Sequence, residues 1–367
     1  MMGKCGIIGY GASVPYLRIK MEEIYEVWRN YSLDFLKERL GLSERAVLQP
    51  NEDSVTLAVA ASKVAVEHAK IDKEKIDALF FGTCTNPYDS KASATIIAEA
   101  LGLSNYLICG DVQFSTKSGT KAIQVCMALV GSGMARYGLA IGSDTINRHA
   151  CPGRLLEYEA SAGAASFVIG GDEPIAEIEG TCSFVSDTSE FWRCEGDRYI
   201  QSTGLSPGSP SGDIHPMWEV GYVEHILKAS ESLMKKLGLK PEDYSYAVFQ
   251  QPFGNAPYYL MERMGFKEEQ VKPGTIAHLI GDCGSASALL GLASVLDIAK
   301  PEERIFVASY GFGAGSDTFS LKVTSRIDEK RPVVTVKKII ERKKLVDYAN
   351  AIRNEYKYLQ DMNPTYL

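Results

Sequence analysis

The amino-acid sequence predicts an α/β fold built from two copies of one strand-and-helix unit, and three observations carry that prediction. The order of elements repeats: DALFFGT (77–83), a helix over 92–103, a helix over 119–135 and YGLAIGSD (137–144) are matched by SYAVFQQ (245–251), a helix through 258–266, the segment 277–300 and RIFVASYGFGAGSD (304–317). The spacing is nearly constant, with Ala78 to Ala247 at 169, Gly119 to Ser285 at 166 and Gly138 to Ile305 at 167. Finally, short β-branched and aromatic runs alternate with helical stretches, which implies parallel, buried strands covered by helices. Two sheets are expected around shared central helices, with boundaries at 1–170, 171–324 and 325–367.

Taken in order, the first half ends near residue 170, and the second opens with a segment leading into CEGDRYIQSTGLSPGSPSGDIHP (194–216), whose Gly, Ser and Pro content marks a loop. An exposed connection and the wall of a pocket are both consistent with it. After Thr324 the tail carries ten Lys and Arg against six Asp and Glu. Its Val334, Ile339, Ile340, Leu345, Val346, Tyr348, Ile352, Tyr356 and Leu359 recur at roughly helical spacing, so a helical tail is expected. Packing on its own domain and docking on an acidic partner stand as equal readings, the second resting on Tyr356, Tyr358, Tyr366 and the basic run Arg342 to Lys344.

Composition bounds the function. With 367 residues, 45% hydrophobic and 23% charged, the chain is long enough for two core-bearing halves. A net charge of −7 argues against nucleic acid as a partner. The N-terminus lacks a signal-peptide pattern and no stretch approaches a membrane span, so a cytoplasmic protein with no membrane partner is expected. The eight cysteines lie singly, without a Cys-x-x-Cys pair or a histidine in ligand spacing, which reads as reduced thiols and no metal. Most are read as small buried apolar residues. His68, His149, His215, His225 and His278 sit in no recognisable catalytic setting.

The repeat singles out four positions. Cys84 and Gln250 follow equivalent strands, 166 residues apart, and Thr116 and Asp282 precede equivalent helices, again 166 apart. Strand ends and helix starts related in this way converge at the centre of a duplicated α/β protein, where a pocket is expected.

These segments, together with IIGYGASVPYLRI, ATIIAEALG, SGTKAIQ, LAIGSDT, FVIGGDEPIAEIEGT, LGLKPEDYSYAVFQQP and MGFKEEQVKPG, resemble archaeal-type hydroxymethylglutaryl-CoA synthases over roughly residues 3 to 324. The resemblance implies a thiolase-like five-layer αβαβα fold. GFGAGSD lacks the spacing and following helix of a dinucleotide site. In that family a glutamate is acid and base, a cysteine at a helix start is acylated, and a histidine and an asparagine handle the substrate carbonyl. Matching motifs puts Cys84, Thr116, Gln250 and Asp282 at those places, so all four differ. A helix start makes a reactive thiolate, whereas a threonine hydroxyl needs a strong adjacent base, which Gln250 is not. Loss of acid and base help alone costs on the order of 10²–10⁴ in rate, and an ionised Asp282 would repel a developing oxyanion.

A narrower resemblance accounts for the changes. GTCTNPYDSKAS (82–93), DVQFSTKSGT (111–120), SDTINR (143–148), FQQ (249–251), GDCGSAS (281–287) and the end EYKYLQDMNPTYL are similar to the synthase-like subunit of a bacterial three-component phloroglucinol acetyltransferase. That resemblance implies a dimeric, structural subunit accompanying a thiolase-like catalytic subunit and a small OB-fold zinc-ribbon protein, with no resident cofactor and acyl-CoA binding left open. The other reading is an active condensing enzyme using a relocated thiol, Cys84 or Cys283.

Overall fold

The structure, a computed structural model, describes residues 5–202 and 216–358. Its strands are β1 (Gly6–Ser13), β2 (Leu17–Lys20), β3 (Glu44–Val47), β4 (Ile76–Gly82), β5 (Ile108–Val112), β6 (Tyr137–Thr145), β7 (Ala162–Gly170), β8 (Ala176–Val185), β9 (Phe191–Trp192), β10 (Gln201–Ser202), β11 (Tyr246–Phe249), β12 (Arg304–Gly311), β13 (Gly315–Val323) and β14 (Lys344–Leu345).

The duplication is visible in strand direction. β4 pairs in parallel with β6, which pairs antiparallel with β7; β11 pairs in parallel with β12, which pairs antiparallel with β13. Three expectations need correction. The sheet is mixed, because each half closes on hairpin-like antiparallel strands, and the run 304–317 is broken by a turn at Phe312–Ala314, where Gly313 takes φ +79°. The halves also form one hydrogen-bonded sheet of nine strands, in the order β11-β12-β13-β8-β1-β7-β6-β4-β5, joined where β1 meets β8 at Gly6↔Glu177 and Ile7↔Ala176.

Helices Ser118–Gly131 and Ser287–Leu296 share one apolar core with strands of both halves, through Ala122, Ile123, Cys126, Leu289, Leu292 and Leu296 against Phe167, Ile305, Val307 and Phe319. Their approach requires glycine: a Cβ at Gly119 would stand 2.4 Å from the Ser285 carbonyl oxygen. Helix Ser54–Ala69, packed on β1 and β7, begins in a reciprocal cap, Asp53 accepting from the Thr56 N–H at 2.7 Å and Thr56 Oγ1 from the Asp53 N–H at 2.8 Å. Helix Ser93–Leu101 is capped from a distance, the Asp111 carboxylate accepting from the Ser93 and Ala94 N–H groups, and it stops at Gly102 in the left-handed region.

The segment after Thr324 forms helices Arg326–Glu329, Val336–Glu341 and Tyr348–Asn354, and β14 pairs in parallel with β2. Val336, Ile340, Tyr348, Ala351 and Ile352 are buried against the chain's own core. Glu355 is fully buried between Arg45 and Lys357, and Lys357 also meets Glu157 at 3.3 Å. The basic run is partly engaged as well, Lys343 pairing with Glu44 and Arg342 lying over the Tyr16 ring. The Tyr356 hydroxyl donates to the Pro50 carbonyl at 2.6 Å. Of the two readings of the tail, packing on its own domain describes residues 325–358; Tyr358 is exposed, and Leu359 and Tyr366 lie outside the described residues, as do His215 and most of the loop at 194–216.

Candidate functional site

The four predicted positions come together at the heads of the two central helices. Thr116 is fully buried; its hydroxyl donates to the Tyr310 carbonyl at 2.9 Å and accepts from the Phe312 N–H at 3.3 Å. Gln250, also buried, donates through Nε2 to the Gly284 carbonyl at 2.9 Å and the Thr116 carbonyl at 3.5 Å, while Oε1 accepts from Ser309 Oγ at 3.2 Å. Asp282 accepts from the Gly284 N–H at 2.9 Å. Cys84 is half-buried, its thiol 3.3 Å from Asp144 Oδ2.

Asp144 organises this centre. Its carboxylate accepts from Thr83 Oγ1, the Cys84 and Thr85 N–H groups, Thr85 Oγ1 and the Ser285 N–H, all between 2.7 and 3.0 Å. It thereby ties the end of β4 to the start of the second central helix. Gly284 takes φ +56°, and a Cβ there would lie 2.5 Å from Asp144 Oδ2. Reasoning from the four positions missed this aspartate. A signal was available: the tetrapeptide Gly-Ser-Asp-Thr occurs at 142–145 and again at 315–318, and both of its aspartates are buried hubs. Asp317 receives Lys117 at 2.8 Å, Thr120 Oγ1 at 3.1 Å and Ser183 Oγ at 2.6 Å.

Electrostatics at the centre disfavour charge. Burial pushes the Asp282 carboxyl up; the Gly284 N–H opposes this and the neighbouring Asp144 charge adds to it, leaving the group at about 7. Burial, then the Asp144 carboxylate, raises the Cys84 thiol well above its usual range, and burial does the same for Cys283, whose thiol points at the Ala162 carbonyl at 3.3 Å. Lys117, buried beneath the Phe114 ring, is lowered to about 8 by desolvation despite Asp317.

A cleft opens over this centre in two lobes. One, of about 570 Å³, is bounded by Phe114, Thr188, Phe312 and Gly313. The other, of about 450 Å³, is bounded by Cys84, Asn86, Tyr88, Asp111 and Arg193. Gln113, Ser115, Phe191 and Trp192 line both. Ser115 sits on the shared wall with φ +49° and a hydroxyl that has no hydrogen-bond partner among the described residues. Loop residues Arg193 and Ile200 thus border the cleft. Among the described residues no group of three His, Cys, Asp or Glu side chains is arranged to hold a metal, and no helix is long and apolar enough to cross a membrane.

The fold and the site at the heads of two symmetry-related helices define a protein of the thiolase class, and residues 45–154 match the model of the thiolase N-terminal domain. Solved structures agree at the level of fold. A hydroxymethylglutaryl-CoA synthase complexed with CoA superposes with a TM-score of 0.84 at 20% identity, covering 96% of this chain and 90% of that one, and 3-oxoacyl-[acyl-carrier-protein] synthase III from Aquifex aeolicus with 0.76 at 19%, covering 87% and 99%. In sequence, the chain is 47% identical over 328 residues to the hydroxymethylglutaryl-CoA synthase of Methanopyrus kandleri, covering 89% of this chain and 90% of that one. It is 44% identical over 359 residues to that of Methanocella arvoryzae, covering 98% and 99%. The chain belongs to the hydroxymethylglutaryl-CoA synthase family and is a synthase-like member of the thiolase superfamily of condensing enzymes.

Proposed function

We propose that this protein is the synthase-like subunit of a multi-component C-acyltransferase, structural in role, within an assembly that transfers an acetyl group to a phloroglucinol-type acceptor. The observation that carries this reading is the state of Thr116. Its hydroxyl bonds two backbone groups, neither of them a base, so it has nothing to make it a nucleophile. Gln250 supports the same reading, since its amide cross-links the turns leading into both central helices to β12 in place of an ionisable group. The relocated-thiol alternative is disfavoured, because the thiols of both Cys84 and Cys283 are held in the neutral form.

In this reading the acyl chemistry belongs to a thiolase-like partner, a small OB-fold zinc-ribbon protein joins the two, and the chain itself dimerises. The edge strand β5 suits self-association: Ile108 is exposed, and Tyr106 beside it is 94% exposed. The test is affinity capture of the full chain co-expressed with both partners, followed by acetyl transfer to a phenolic acceptor. Retention of both partners and transfer that needs all three proteins are expected. Full transfer by the other two alone contradicts the proposal.

A further inference from the structure

Beyond the four matched positions, Ser186 and His225 meet in an arrangement that the sequence did not single out. Ser186 follows β8 and is exposed; His225 lies in the first turn of helix Glu224–Leu237 and is fully buried. Ser186 Oγ stands 2.6 Å from His225 Nε2, and His225 Nδ1 stands 2.7 Å from the Gly221 carbonyl oxygen. A carbonyl only accepts, so Nδ1 carries a proton, and in the neutral ring Nε2 carries the lone pair. The serine hydroxyl therefore donates to an imidazole in its basic tautomer, with the ring oriented by a third group.

The surroundings reinforce that geometry. The imidazole is held by the Phe184 and Tyr310 rings, at centroid distances of 5.3 and 5.5 Å. The buried Glu190 carboxylate, which accepts from the Tyr310 hydroxyl and the Gly313 N–H, lies against Gly221, where a Cβ would stand 1.9 Å from its Oε1. The Glu190 side chain thus packs against the residue whose carbonyl orients the ring. The Ser186 N–H donates to the Ala314 carbonyl at 3.3 Å, and Ala314 with Asp187, Thr188 and Ser189 lines the 570 Å³ lobe, so the Ser186 backbone adjoins that lobe while its side chain is exposed.

We propose that Ser186 and His225 form a nucleophile and base that hydrolyse short-chain activated esters and thioesters, an activity independent of the subunit role proposed above. The Ser186 proton passes to His225 Nε2 as Oγ bonds the acyl carbon. The carbon–sulfur or carbon–oxygen bond then breaks, and the imidazolium protonates the leaving thiolate or alkoxide. Water, deprotonated by the same imidazole, attacks the acyl-serine, releasing the carboxylic acid and restoring the hydroxyl.

The test uses the purified full chain with p-nitrophenyl acetate, recording p-nitrophenolate release and mapping the acetylated peptide in acid-quenched samples. An acetyl group on Ser186 is expected, with release falling about 100-fold in Ser186→Ala and in His225→Gln, as loss of nucleophile or base requires. Ser186 is exposed, so its alanine variant should melt as the parent does, and the comparison stays readable if the buried histidine variant misfolds. Wild-type release by Ser186→Ala, or an acetyl group found on Cys84 or any residue other than Ser186, overturns the proposal.

Discussion

Asp282 is a carboxyl held at about 7 by burial and by the Asp144 charge against the opposing Gly284 N–H, and this has a measurable sign. An acid raised in the folded state binds more protons folded than unfolded, so its contribution to stability falls as pH rises from about 4 through about 7. Asp282→Asn keeps the oxygen that accepts from Gly284 and removes the charge. The variant should therefore gain stability relative to the parent at pH 8 over pH 5, by on the order of 2 kcal/mol in denaturant melts. An equal offset at both values would show that Asp282 does not titrate in this window. Cys84 gives a second outcome at this scale. With its thiol raised by burial and Asp144, incubation with acetyl-CoA should leave residue 84 unacylated in intact-mass and peptide spectra, and an adduct abolished by Cys84→Ala would restore the relocated-thiol reading.

The tail from 325 to 358 is an element of the core, and its clamp is the buried cluster of Arg45, Glu355, Lys357 and Glu157. Burial alone would raise Glu355, but Arg45 and Lys357 outweigh it and leave the carboxyl lowered. Its stabilising contribution is therefore complete above the ordinary glutamate range and lost as pH falls through the lowered value. Glu355→Gln leaves Arg45 without its carboxylate partner and Lys357 with Glu157 alone, and should cost roughly 3–5 kcal/mol in thermal or denaturant melts near neutral pH, shrinking on acidification. Removing residues 345–367 should unfold or strongly destabilise the chain. A truncated protein that melts like the parent would return the tail to a docking role. Helical periodicity marked the buried Ile340, Tyr348 and Ile352 but also the exposed Val334 and Leu345, the latter in β14; it gave no sign of the ionic clamp, because Arg45 and Glu355 are 310 residues apart and a single charged residue carries no sign of what it will meet. The repeat fared better: the offset between halves located the strand ends and helix starts, since those are set by chain spacing. It did not reveal that β1 and β8 join the halves into one sheet, which rests on two residue pairs. Nor did the four matched positions reveal Asp144, because a hub is defined by donors that come from separate segments, here residues 83–85 and Ser285.

For the whole molecule, the family frame is retained: nearly the full chain aligns with hydroxymethylglutaryl-CoA synthases, and both central helices meet as the duplication requires. At the proposed catalytic positions the side chains are bonded into that frame, with Thr116 on Tyr310, Gln250 on Gly284 and Asp282 on its own turn. The structural role proposed for the chain corresponds to these positions holding the shape of the frame in place of a nucleophile, base and oxyanion donor. The most direct measurement is condensation of acetyl-CoA with acetoacetyl-CoA by the isolated full chain, following hydroxymethylglutaryl-CoA by mass spectrometry, alongside Thr116→Cys. Both proteins should form no product above the enzyme-free reaction, since restoring a thiol leaves Gln250 and Asp282 in place; turnover by the unaltered chain at the rate of an ordinary synthase would contradict the account.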